Sequence, residues 1–79
     1  MEIQDSRLIY SFSKGQEEAV HFHLKLANGK PYVDVRIWFK PKDSQEWHPT
    51  KKGLFFPISY VPEFKKGIEL MSAHTAKPA

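Results

Sequence analysis

The stretch Val20–Phe39, VHFHLKLANGKPYVDVRIWF, decides how the chain folds. Val20, Phe22, Leu24 and Leu26 alternate with His21, His23 and Lys25, the two-residue period of a strand with one apolar face. Tyr32 to Phe39 repeats it, with Val33, Val35, Ile37 and Phe39 on one side and Tyr32, Asp34, Arg36 and Trp38 on the other. Asn28-Gly29 stands between, and both residues tolerate the positive φ of a two-residue hairpin turn. The segment predicts an antiparallel hairpin with an apolar face and a face of cations, histidines and rings.

Downstream, residues 40–45 (KPKDSQ) have the composition of a loop. Glu46-Trp47-His48 predicts a short third strand stopped by Pro49. Residues 51–58 (KKGLFFPI) predict a fourth, with Leu54 and Phe56 inward and Phe55 outward. Pro57 either ends that strand or places it at a sheet edge. The period then changes. Ser59 reads as an N-cap, Pro62 fits a first turn, and Glu63 suits the positive end of a helix dipole. Val61, Phe64, Ile68 and Met71 form an apolar helical stripe, while Gly67 costs about 1 kcal/mol against alanine, so packing must hold this helix.

Upstream, residues 7–13 (RLIYSFS) predict one added strand with Leu8, Tyr10 and Phe12 on one face, followed by a turn at KGQEE. The chain therefore divides into an N-terminal extension (1–19), a domain (20–71) and a flexible tail (72–79). The predicted class is α+β: a twisted antiparallel sheet of four or five strands, then one C-terminal helix that covers the sheet or packs against a second copy. A small closed barrel, OB-like or SH3-like, is the alternative arrangement of five short strands.

Seventy-nine residues make one domain. A chain of that length buries only about 60% of its unfolded surface. It has no cysteine, so disulfides and thiolate zinc sites are excluded, which leaves aromatic packing, supported by an aromatic content of 14%, or self-association to supplement the core. The start MEIQDSRLIY lacks the basic and apolar regions of a signal peptide, and no apolar run approaches membrane-spanning length. A soluble cytoplasmic or nuclear protein is expected, with no membrane partner. The net charge of +3 is unevenly spread: residues 1–19 carry −2, residues 20–66 carry +5, and the remainder balances. That asymmetry points to a polyanionic partner for the middle of the chain.

The segment from Val33 to Gly53 interleaves Trp38, Phe39 and Trp47 with Arg36, Lys40, Lys42, Lys51 and Lys52. A core would take the rings and reject the charges. A ligand both flat and anionic takes both. Base-on-ring stacking needs unstacked bases, which a duplex hides and a single strand offers. An acidic peptide is the rival ligand, since a ring ridge flanked by lysines also fits a protein-interaction module. His21 and His23 could chelate a metal near His48, but no carboxylate or cysteine completes an obvious set. No metal or cofactor is expected. There is no nucleophile elbow, phosphate loop or HExxH motif, so the reading is not an enzyme.

The order of these motifs resembles the positive cofactor four family of transcriptional coactivators. The matching residues are the glycine turn, Asp34, Arg36, Trp38 and Phe39 on the following strand, then Lys51, Lys52 and Gly53 opening the last strand before a helix. The match runs from about Val20 to Met71. The resemblance implies a homodimer that binds single-stranded DNA. The resulting expectation is binding without sequence specificity, with the process it serves, whether transcription, replication or repair, left open. The resemblance also implies that Lys25, Arg36, Lys51 and Lys52 hold the phosphates, and that Trp38 or Phe39 stacks on a base; Trp47, from its place beside the same face, is read as a further ring for the bases. Strict alternation puts Phe39 on the face away from Arg36, so its use would require a bulge or twist near the strand end. It further implies that Val61, Phe64, Ile68 and Met71 build the dimer interface. The chain departs from the pattern at Ala27, where an aromatic is usual before the turn; His21, His23 or Trp47 could substitute. Pro62 and Gly67 set its helix apart. Nothing in the sequence selects DNA over RNA.

Overall fold

The computed structural model describes residues 2–75. Four strands form one antiparallel sheet in the order β1-β2-β3-β4: β1 (Ile3–Ser13), β2 (Glu18–Ala27), β3 (Lys30–Phe39) and β4 (His48–Pro57). A 3-10 turn (Ile58–Tyr60) leads into helix α1 (Val61–Thr75). The fold is thus the α+β arrangement expected, with four strands. The sheet is open, with β1 and β4 as its two edges, so the barrel alternative is overturned. Among the described residues no helix is long and apolar enough to cross a membrane.

The central hairpin forms as its alternation dictates. Val20 pairs with Ile37, Phe22 with Val35 and Leu24 with Val33, while His21 pairs with Arg36 and His23 with Asp34. The turn is closed by Asn28 (φ 52°) and Gly29 (φ 71°), both in the left-handed region. Gln4 on β1 braces it, its Oε1 accepting the Gly29 backbone N–H at 2.8 Å.

Three local expectations are corrected. First, Glu46 and Trp47 are not a strand: they belong to the loop between β3 and β4, and the two short strands expected there are one ten-residue strand. Pro49 does not stop β4, because an edge strand has a side without partners on which a missing N–H costs no ladder bond. Second, a register shift between Leu8 and Tyr10 breaks the alternation of β1. Leu8 pairs with His23, whereas Tyr10 and Phe12 join Phe22 in a three-ring cluster with centroids 5.8–6.3 Å apart. A bulge moves one side chain to the other face. Third, Ser59 lies inside the 3-10 turn and does not cap α1, which begins at Val61 with Pro62 and Glu63 in its first turn. The helix also continues past Met71 to Thr75, into the segment read as tail; residues 76–79 lie outside the described residues.

Helix α1 crosses the apolar face at the β3–β4 side. Phe64 stacks on Phe56 at 4.1 Å and 10°, which fixes the start of the helix on the sheet. Beside that contact a groove of about 400 Å³ opens between Phe22, Val33, Val35, Leu54, Phe56, Phe64 and Ile68. The interior is correspondingly thin. Among the described residues only Ala19, Ala27 and Asp34 are buried, and Ile68 and Met71 are each 65% exposed.

Candidate nucleic-acid interface

The face away from the helix is organised around a carboxylate. Asp34 is 3% exposed at the middle of β3. Its Oδ2 accepts from Lys25 Nζ at 2.6 Å and its Oδ1 from Arg36 Nε at 2.9 Å. The Arg36 guanidinium also donates to the Thr50 carbonyl on β4 at 2.9 Å. One carboxylate between two cations leaves a local charge of +1. It fixes the guanidinium plane, which costs less entropy on binding than orienting a free arginine.

Beside the ion group lies a stack of rings. Trp38 is stacked by His21 at 4.8 Å and 21°, and by His23 at 5.3 Å and 26°. Trp47 reaches the same group from the loop, 5.9 Å from His21, with Lys40 Nζ 5.5 Å from its ring centre. The indole Nε1–H of Trp38 is covered and has no acceptor among the described residues, while its ring packs on the two imidazoles. Burial lowers the pKa of His21. Burial lowers that of His23 too, helped by His21 and Lys25 and opposed by Asp34. Both rings are therefore mostly neutral at pH 7 and behave as flat plates.

Lys51 and Lys52 occupy a register shift on β4. Arg36 pairs with Gly53 and Trp38 with Pro49, so Thr50, Lys51 and Lys52 stand opposite Ile37 alone. Thr50 holds this bulge: its hydroxyl donates to the Ile37 carbonyl at 2.7 Å and accepts the Lys52 N–H at 3.2 Å. Both lysines are exposed, with no carboxylate within ion-pair distance among the described residues. Gly53 makes the arrangement possible. A Cβ there would lie 2.6 Å from the Val35 carbonyl oxygen and 2.8 Å from Arg36 Cα and Cβ, so only glycine lets β4 approach Arg36 this closely.

Of the residues singled out in the sequence, Lys25, Arg36, Trp38 and Trp47 come together on one face, with Lys51 and Lys52 at its β4 border. Phe39 does not join them. It pairs with Glu18, on the side of Val20 and Ile37, and its ring is tilted 6.3 Å from His48 beside the β1–β2 turn. The bulge lies on β4 and leaves the alternation of β3 intact. Three features were not read from the sequence: the role of Asp34 as the shared anchor, the Thr50 hydroxyl in the bulge, and a second ring pair, Tyr32 on Phe55 at 5.0 Å and 10°. The outward reading of Tyr32 and Phe55 was available, but their contact depends on the β3–β4 register.

The family model described as Transcriptional Coactivator p15 (PC4) matches residues 21–67, more than half of the chain. The chain belongs to the PC4 family. That match spans β2, β3, β4 and the first half of α1, and so contains the Asp34 ion group, the Trp38 stack and the lysine bulge. Solved PC4 structures share the fold. A PC4 homologue from Burkholderia pseudomallei is 21% identical over 91% of this chain and 96% of its own, with a TM-score of 0.78. A second crystal form of it gives 20% identity over 86% and 98%, with a TM-score of 0.79. A bacteriophage T5 homologue of the eukaryotic coactivator PC4, implicated in recombination-dependent DNA replication, is 21% identical over 95% of this chain and 82% of its own, with a TM-score of 0.67. No protein of curated function matches the chain.

Proposed function

We propose that this protein binds single-stranded DNA without sequence specificity, as a homodimer, in a transcription or replication role like those named for its PC4 relatives. The observation that carries the reading is the pairing, on one sheet face, of a flat Trp38–His21–His23 stack with cations fixed by Asp34. Lys25, Arg36, Lys51 and Lys52 take the phosphates. Trp38 and Trp47 take the bases, with the neutral histidines extending the platform. A duplex keeps its bases inside, so only its phosphates could engage this face.

The other face supports the homodimer reading. On that side Tyr10, Phe12, Leu54, Ile68 and Met71 are exposed, and exposed apolar residues grouped on one face mark an interaction surface. A second copy offers the same patch and closes both at once. The interface residues are Phe64, Ile68 and Met71 on α1, with Val61 at its start.

Fluorescence anisotropy of labelled oligothymidine and of a duplex of equal length, over a salt series, tests the binding. Expected is tight, salt-sensitive binding of the single strand with quenching of tryptophan fluorescence. Equal affinity for the duplex without quenching would favour a merely basic surface, and the acidic-peptide reading would then lead. Sedimentation equilibrium tests the dimer, which Ile68→Lys should dissociate.

A further inference from the structure

We propose that Tyr32 and Phe55 form a second base-stacking subsite on the same face, separated from the Trp38 stack by the ion group, with Lys30 holding the adjoining phosphate. This rests on the single-strand reading above and extends it to a longer stretch of the same strand. The two rings come from neighbouring strands and lie within 10° of parallel at 5.0 Å, one flat pile to which an unpaired base adds a third plate. Register sets them on the cation-bearing side. Phe55 pairs with Asp34, and Tyr32 faces Lys25 across the hairpin.

Phe55 is 39% exposed on an edge strand, with the helix on the opposite side of the sheet. Part of the Phe55 side chain therefore stays open to a ligand on the cation-bearing side. Lys30 lies two residues before Tyr32 on the same side of β3, exposed and with no carboxylate within ion-pair distance among the described residues. Along β3 the face therefore reads Lys30, Tyr32, Asp34 with its two cations, then Trp38. Cations alternate with rings, as phosphates alternate with bases along a single strand. Trp38 is the sixth residue after Tyr32, about 20 Å away at the rise of a strand. One base cannot bridge that distance, so two platforms mean two base contacts.

The test uses the full chain and its Tyr32→Leu/Phe55→Leu double variant, whose leucines keep the sheet's apolar packing without flat rings. Both are titrated at low salt with oligothymidine and with an abasic oligonucleotide of the same length, and thermal unfolding checks the fold. Loss of base stacking should weaken oligothymidine binding by roughly 5- to 100-fold and leave abasic binding unchanged. An equal loss on both ligands would overturn the subsite, because the rings would then only shape the sheet. No loss on either would overturn it as well. Failure of the unaltered protein to bind oligothymidine at all would remove the single-strand reading itself and this subsite with it.

Discussion

Replacing Asp34 by asparagine changes one oxygen for one amide and removes a single charge, yet it addresses the anchor of the whole face. Asp34 satisfies Lys25 Nζ at 2.6 Å and Arg36 Nε at 2.9 Å, and it is 3% exposed. Removing one member of a buried ion pair costs about 3–5 kcal/mol, because the remaining charge is stranded. Two conditions reduce the figure here. Lys25 and Arg36 keep 22% and 20% of their side-chain surface in water, which screens them. Arg36 also retains its bond to the Thr50 carbonyl. A loss of about 2–3 kcal/mol is therefore expected for Asp34→Asn. For a domain of this size each kcal/mol moves Tm by about 4–8 °C, so the variant should melt at least 8 °C lower. Urea unfolding followed by tryptophan fluorescence gives the energy directly. It must be run at one protomer concentration, since self-association ties stability to concentration. A change below about 0.5 kcal/mol would refute the idea that this carboxylate holds the face together.

Other substitutions probe the remaining parts of the site. Lys51→Ala with Lys52→Ala should reduce the salt slope of oligothymidine binding by about 1.4, from roughly 0.7 per lost phosphate contact. An unchanged slope would take both lysines out of the interface. Gly53→Ala forces a Cβ against the Val35 carbonyl and Arg36, which should cost about 1–3 kcal/mol in urea unfolding and weaken oligothymidine binding by displacing Arg36. Full stability in that variant would mean that the strands part without penalty. His21 and His23 have pKa values lowered by folding, so their contribution to stability is present above about pH 6.5 and is lost as pH falls through the lowered values. Protonation of the same rings adds positive charge to the face that meets the phosphates, so oligothymidine affinity should rise as pH falls through those values. His21→Gln with His23→Gln should flatten both profiles.

The hairpin at the centre of this protein is written in its sequence. Alternation in Val20–Leu26 and Tyr32–Phe39 is a local property of each strand, and Asn28-Gly29 fixes their register through the turn. Two strands joined by a two-residue loop have no freedom to slip, so the shared face of Lys25, Arg36 and Trp38 follows from the residues alone. The helix stripe is equally local.

What the chain could not disclose depends on partners distant in sequence. Pro49 reads as a stop until β4 is known to be an edge, where the missing N–H is harmless. Tyr10 and Phe12 separate from Leu8 only because a bulge forms against β2, and a bulge is set by the neighbouring strand. Phe39 kept the side that its alternation gave it, because the β3–β4 irregularity fell on the Thr50–Lys52 segment. Asp34 could be placed on the outward face and in the family pattern, but not given its partners. Its burial between Lys25 and Arg36, and the stacking of Tyr32 on Phe55, exist only once β2, β3 and β4 lie side by side. Period and turn chemistry act within a few residues, whereas register across a long loop, and every contact that depends on it, is decided by the assembled sheet.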